Sequence, residues 1–120
     1  MNALDFKTEN VFQNFVRNRL DRTMGVLLWW WMTQFYEAVI TSAYRNDGGI
    51  HGTDPLRALD LRSWIYSNPQ GMETYVNDIW TYDPKRPDMK VCWWHDAGKP
   101  KNKHFHLQVH PGTLFHGRHP

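Results

Sequence analysis

Lys103-His104-Phe105-His106-Leu107-Gln108-Val109-His110 is where this chain concentrates residues able to do chemistry. Polar and apolar residues alternate through it without a break, the period of a β-strand whose successive side chains leave on opposite faces. His104, His106, Gln108 and His110 therefore share one face, while Phe105, Leu107 and Val109 point the other way into a core. Neutral imidazole is the commonest zinc ligand, so such a face is a metal-site candidate. A solvated strand face that happens to be rich in histidine is the competing reading. Two other segments favour the metal. His51 follows the loop Asn46-Asp47-Gly48-Gly49, and Asp60 lies in Leu56 to Arg62, which alternates as a strand would. Ala58 shares the face of Asp60 and leaves space beside the carboxylate. His51, Asp60 and one histidine of the last strand would supply three protein ligands and leave a fourth position for water, as catalytic zinc sites do. Without a metal, Asp60 would pair with Arg57 or Arg62, and His51 would be a loop histidine.

The elements that must position these groups are read from periodicity. Val11, Phe12, Phe15, Val16 and Leu20 recur at helical spacing behind Thr8 as a cap, giving an amphipathic first helix. Met24 to Tyr36 is apolar nearly all round and gives a second, more buried helix, although Trp29-Trp30-Trp31 also suits a strand. These three tryptophans are expected in the core. Glu37 to Tyr44 reads as a short strand that runs into the loop delivering His51. Asn68 caps a third helix with Pro69 at its first position and Met72, Tyr75, Val76, Ile79 and Trp80 as its apolar stripe. Asp83-Pro84 through Pro87-Asp88 ends it. Met89 to His95 and His104 to His110 form a hairpin around the polar loop Asp96 to Lys103. Trp93 and Trp94 point to opposite faces, one inward and one toward the cleft. Pro111 to Pro120 reads as an irregular terminus with His116 and His119 solvated. The expected fold is α+β: helices packed on one side of a mainly antiparallel sheet, and a zinc cleft on its open side.

Composition narrows the function. With 120 residues, 41% hydrophobic and 22% charged, the chain fits one globular domain covering residues 1–120 and leaves no room for a second catalytic module. A net charge of +2 spread over interspersed signs argues against a nucleic-acid partner, and no carboxylate cluster suits the paired magnesium ions of a nuclease. Cys92 is the only cysteine, which excludes an internal disulfide and a thiolate zinc cluster. Gly25 to Met32 is too short to span a bilayer, so no membrane insertion is expected. Met1 to Asn10 has neither the basic start nor the apolar run of a signal peptide. The oligomeric state is left open.

Thr41-Ser42-Ala43-Tyr44-Arg45, Gly49-Ile50-His51, Arg57-Ala58-Leu59-Asp60-Leu61 and His104-Phe105-His106, in that order, resemble the motif set of zinc D-alanyl-D-alanine carboxypeptidases and L-alanyl-D-glutamate endopeptidases. The closing His-x-His is most similar to the murein endopeptidase and hedgehog-domain branch. The motif-bearing core runs from about residue 37 to 110. The resemblance implies a zinc peptidase acting on peptidoglycan peptides, of the kind bacteriophages use as endolysins or virion-associated enzymes. Such a protein is made in the cytoplasm without a signal peptide and acts at the bacterial cell wall or within a virion. It also implies zinc on His51, Asp60 and His106 and a substrate contact by Arg45, whose other reading is a structural ion pair. Two departures stand out. His51 and Asp60 are nine residues apart, more than is usual in the family, and Lys103 occupies the place of the family's acidic base. His104 or Asp96 is then the candidate base, Asp96 having a turn-forming role as its alternative. His95 and His110 are candidate supports for the ligands. A non-enzymatic zinc-binding or wall-binding domain that keeps the fold is the second hypothesis, and Lys103 favours it.

Overall fold

The computed structural model describes residues 3–46, 48–96 and 103–117. The expected hairpin loop falls largely on 97–102 and, like His119, lies outside the described residues. Strands β1 (Ala3–Phe6), β2 (Glu37–Ser42), β3 (Ala58–Arg62), β5 (Cys92–His95) and β6 (His104–Gln108) build a five-stranded sheet in the order β1-β2-β3-β6-β5. Only the β1–β2 pairing is parallel. The helices are α1 (Glu9–Arg17), α2 (Arg22–Phe35) and α3 (Pro69–Ile79), and a small second sheet pairs β4 (Trp80–Thr81) with β7 (Leu114–Phe115). The fold is therefore α+β with a mostly antiparallel sheet, as the pattern of elements implies.

The core lies between one sheet face and the helices. Leu59 and Leu61 of β3, Phe105 and Leu107 of β6 and Ile40 of β2 are fully buried against Met24, Leu27 and Trp31 of α2 and Val76 of α3. Alternation along the strands sends the intervening residues, Asp60, His104 and His106, to the opposite face. Asp21 caps α2 by accepting from the backbone N–H groups of Thr23 and Met24, and Asn68 caps α3 by accepting from that of Gly71. Helix α3 also closes the sheet edge. The Asn77 side chain both donates to the Cys92 carbonyl and accepts from its N–H, while Glu73 accepts from the N–H of Trp94. The outer edge of β5 is thus satisfied by side chains instead of another strand.

Three expectations change, and one strand is new. Leu20 does not extend the first helix: the chain turns extended at Asn18, and Leu20 bridges Leu56. Trp31 is fully buried, but Trp29 is 73% exposed, because neighbours on a helix point about 100° apart and three in a row cannot share one buried face. Ala3–Phe6 forms a strand that its own pattern does not announce. The tail is partly ordered as β7, where His116 Nε2 lies 2.8 Å from Thr81 Oγ1.

Candidate metal centre

Three neighbouring strands and one loop converge on the face away from the core. In the β3–β6 register Asp60 stands directly opposite His106, and in the β6–β5 register His106 faces Trp93 and His104 faces His95. Directly opposed residues project to the same face with Cβ atoms about 5 Å apart, so this register alone assembles most of the site. His51 arrives from the other side. Within β2 the pairing register shifts between Ile40 and Ser42, and the loop that follows the strand is closed by a backbone bond from Arg45 N–H to His51 O at 2.8 Å. Gly48, at φ +75°, takes the left-handed conformation inside this loop that a side chain would resist. Ile50–Gly52 then form a single 3-10 turn that carries His51. Between His51 and Asp60, Leu56 exchanges backbone bonds with Arg19 and Asp21, anchoring the connecting residues to the α1–α2 connection.

One ligand atom from each of His51, Asp60 and His106 lies within 4.8 Å of the other two. Asp60 Oδ1 is 3.2 Å from His51 Nε2 and 3.0 Å from His106 Nδ1, and Asp60 Oδ2 is 3.8 Å from His104 Nε2. His51 and Asp60 are buried. Burial pushes the Asp60 carboxyl upward, yet hydrogen bonds from His106 and His51 and the charge of both rings outweigh it and hold the group well below the usual carboxylate range.

Hydrogen bonds on the far sides of the rings assign their tautomers. His51 Nδ1 is 2.9 Å from the Ala43 carbonyl and must donate to it. His106 Nε2 is 3.0 Å from Gln108 Oε1, and the Gln108 amide nitrogen donates to Lys90 O at 2.8 Å, which fixes the oxygen toward His106. When neutral, both rings therefore aim a lone pair at the carboxylate. Three electron-rich atoms facing one point need positive charge between them, supplied by extra protons or by one metal ion. The donor set of two imidazoles and one carboxylate fits a zinc-type ion.

A cavity of about 360 Å³ opens over this point, and Arg45, His95 and His104 line it beside His51, Asp60 and His106. His95 packs on His104, with ring centroids 4.9 Å apart. Partial burial, then His104 and His106, push the His95 imidazole below its ordinary value. Trp93, rather than Trp94, belongs to the open face: it lines an adjoining cavity with His95 and His106, whereas Trp94 packs toward the core and donates to Ser63 Oγ at 3.2 Å. Of the candidate groups, His51, Asp60, His106, His104, Arg45 and His95 come together. Asp96 follows directly on β5 and is not among the described residues lining the cavity. His110 is turned elsewhere, with Nδ1 3.4 Å from Asp83 Oδ2. The role of Gln108 was visible in the sequence only as a polar residue two positions after His106 on the same face; the Ala43 carbonyl left no signal there.

Comparison of the chain with protein-family models, with curated proteins and with solved structures finds no match.

Proposed function

We propose that this chain is a zinc-dependent peptidase that cleaves peptidoglycan stem peptides, in the manner of an endolysin or a virion-associated enzyme acting at the bacterial cell wall. The observation that carries the reading is the pair of tautomer-fixed imidazoles, His51 and His106, aiming at the Asp60 carboxylate beneath an open cavity. The ordered motifs that resemble the zinc carboxypeptidase and endopeptidase family support the substrate class.

When bound, a zinc-type ion supplies Lewis acidity, polarising a carbonyl oxygen and making water a competent nucleophile at neutral pH. The protein's own groups do the rest. His51, Asp60 and His106 hold the site, and the Ala43 carbonyl and Gln108 keep the two rings in their ligating orientation. His104, beside Asp60 and lining the cavity, takes a proton from the attacking water at its imidazole and returns it to the leaving amine. Arg45 holds a substrate carboxylate or the oxyanion that develops on the scissile carbonyl. Asp96 is the alternative base.

Lys103, standing where the family places its acidic base, favours a second reading: a zinc-binding or wall-binding domain without catalysis. Elemental analysis of wild type, His106→Ala and His104→Ala, combined with peptide release from cell walls, separates the two. The peptidase reading expects one zinc per chain in wild type and in His104→Ala, none in His106→Ala. It also expects release lowered by about 10²–10⁴-fold in His104→Ala and lost in His106→Ala. Stoichiometric zinc with no release by wild type selects the binding domain, and a wild type that takes up no zinc removes both.

A further inference from the structure

The Trp29-Trp30-Trp31 run spreads over three directions, because neighbours on a helix stand about 100° apart. Trp31 is buried in the core, whereas Trp29 and Trp30 line a cavity of about 560 Å³ between α2 and α3. Val26, Trp29, Trp30 and Thr33 reach it from α2, and Tyr75 and Ile79 from α3. Each set has the three- and four-residue spacing that gathers side chains on one helix face. Trp80 and Phe115, directly opposed in the β4–β7 register, complete the aromatic lining. No Lys, Arg, Asp, Glu or His is among the described lining residues. The helices pack on the core side of the sheet, so this cavity is on the side away from His51, Asp60 and His106.

The aromatic wall is fixed in place. Trp30 stacks on Tyr75, with ring centroids 5.8 Å apart and 20° between planes, and meets Phe35, Trp80 and Phe115 edge-on at 6.0 to 6.2 Å. Polar groups stand beside it: Tyr75 Oη donates to Gln34 Oε1 at 3.0 Å, and the Gln34 amide nitrogen donates to Thr33 Oγ1 at 3.4 Å. A primary amide carries a second hydrogen and a phenol oxygen also accepts, so these groups can meet further hydroxyls. Apolar and aromatic walls with a few oriented polar groups are the usual make-up of a small-molecule site.

We propose that this cavity binds a neutral oligosaccharide, seating one pyranose ring against the indoles of Trp29 and Trp30 with its hydroxyls toward Gln34, Tyr75 and Thr33. The inference goes beyond the peptidase reading and does not rest on it. An ion would find no counter-charge in this lining. A wholly apolar partner would cover the amide and hydroxyls without pairing them, at the cost of their desolvation. A pyranose answers both conditions. Its polarised C–H face suits the electron-rich face of an indole, and its edge of hydroxyls suits an amide and a phenol held side by side. Exposed apolar surface is concentrated at the same place, with Trp29 at 73%, Val26 at 51% and Tyr75 at 42% exposure.

Titration of the isotope-labelled full chain with chitotetraose and with cellotetraose, both neutral, tests this. At least one should shift the indole N–H resonances of Trp29 and Trp30, and that of Trp80, whose Nε1 is buried without a hydrogen-bond partner among the described residues. The resonance of Trp93, beside the metal centre, should stay in place. Affinity should be the same at low and high salt, because no charge is matched, and the same with zinc or with chelator. Trp29→Ala, at a position 73% exposed where folding is not at stake, should weaken binding about tenfold. Tyr75→Phe, which keeps the ring and removes the hydroxyl, should weaken it several-fold. Failure of both sugars to bind, or an affinity that both substitutions leave intact, overturns the proposal. So does a wild type that self-associates in sedimentation equilibrium, or adsorbs to phosphatidylcholine vesicles, through Trp29 while binding neither sugar. Because sugar binding needs no zinc, a failure to take up the metal in the same samples would count against the peptidase reading alone.

Discussion

Gln108 determines which nitrogen of His106 faces Asp60. Its amide is oriented by the bond to Lys90 O, so its oxygen can only accept, and His106 must donate from Nε2. Replacing it by leucine frees the ring to turn or to change tautomer. Zinc affinity of Gln108→Leu, measured by competition with a chelator, is expected to fall about 10–100-fold with the ligand residues intact. Affinity equal to wild type would show that the strand alone orients the ring. Much of this site was legible one residue at a time. Strict alternation put His104, His106 and Gln108 on one face, and a carboxylate beside a small residue marked Asp60. What the sequence could not reveal was partnership across strands. Asp60 was offered Arg57 or Arg62 by proximity in the chain, but its close contacts are with histidines that the register brings opposite and the loop brings alongside.

Elements carry the next level of information, and they are legible in proportion to how far local pattern decides them. Helix α3 was readable because Asn68 caps it, Pro69 opens it and its apolar stripe repeats. Strand β6 was readable from its alternation. By contrast, β1, β4 and β7 have only four, two and two residues. Their identity comes from the strand each one pairs with, which no short window contains. Tyr66 shows how such elements are locked together. Its hydroxyl donates to the Glu37 carbonyl at the start of β2 and accepts from Trp31 Nε1 of α2 at 3.0 Å. Burial, opposed by the Trp31 hydrogen bond and reinforced by the nearby Glu37 charge, pushes the phenol up to about 12 from its ordinary 10.0. A raised folded-state value means that the native protein keeps a proton the unfolded chain releases. The stabilisation is therefore whole below pH 10 and is lost as pH rises toward 12. Urea unfolding of wild type should show stability declining across that interval. Tyr66→Phe should be less stable than wild type at pH 8 and should lack that part of the decline. An identical alkaline slope in both proteins would assign the effect to other groups.

At the scale of the whole molecule, the division between the two sheet faces separates the folding core from the cluster that could hold a metal ion. The helices bury Leu59, Leu61, Phe105 and Leu107 on one side, and the alternate residues of the same strands form the cluster on the other. The core therefore does not need the metal, unlike small domains in which zinc replaces a core. A ligand that binds only the native state still adds stability by mass action, about 2.7 kcal/mol when free ligand reaches a hundred times its dissociation constant. For a domain of this size that corresponds to a rise of roughly 10 °C in melting temperature. Calorimetry of the chelator-treated protein should then show one cooperative transition, moved upward by zinc and returned by chelator, while His106→Ala should melt cooperatively and respond far less to zinc. Loss of any cooperative transition on chelation would mean that the metal holds the sheet together. An equal upward shift in His106→Ala would place the stabilising ion elsewhere on the molecule. Only the combination of a folded metal-free chain and a zinc response that depends on His106 matches a structure in which one face of the sheet makes the fold and the other is left free to carry the site.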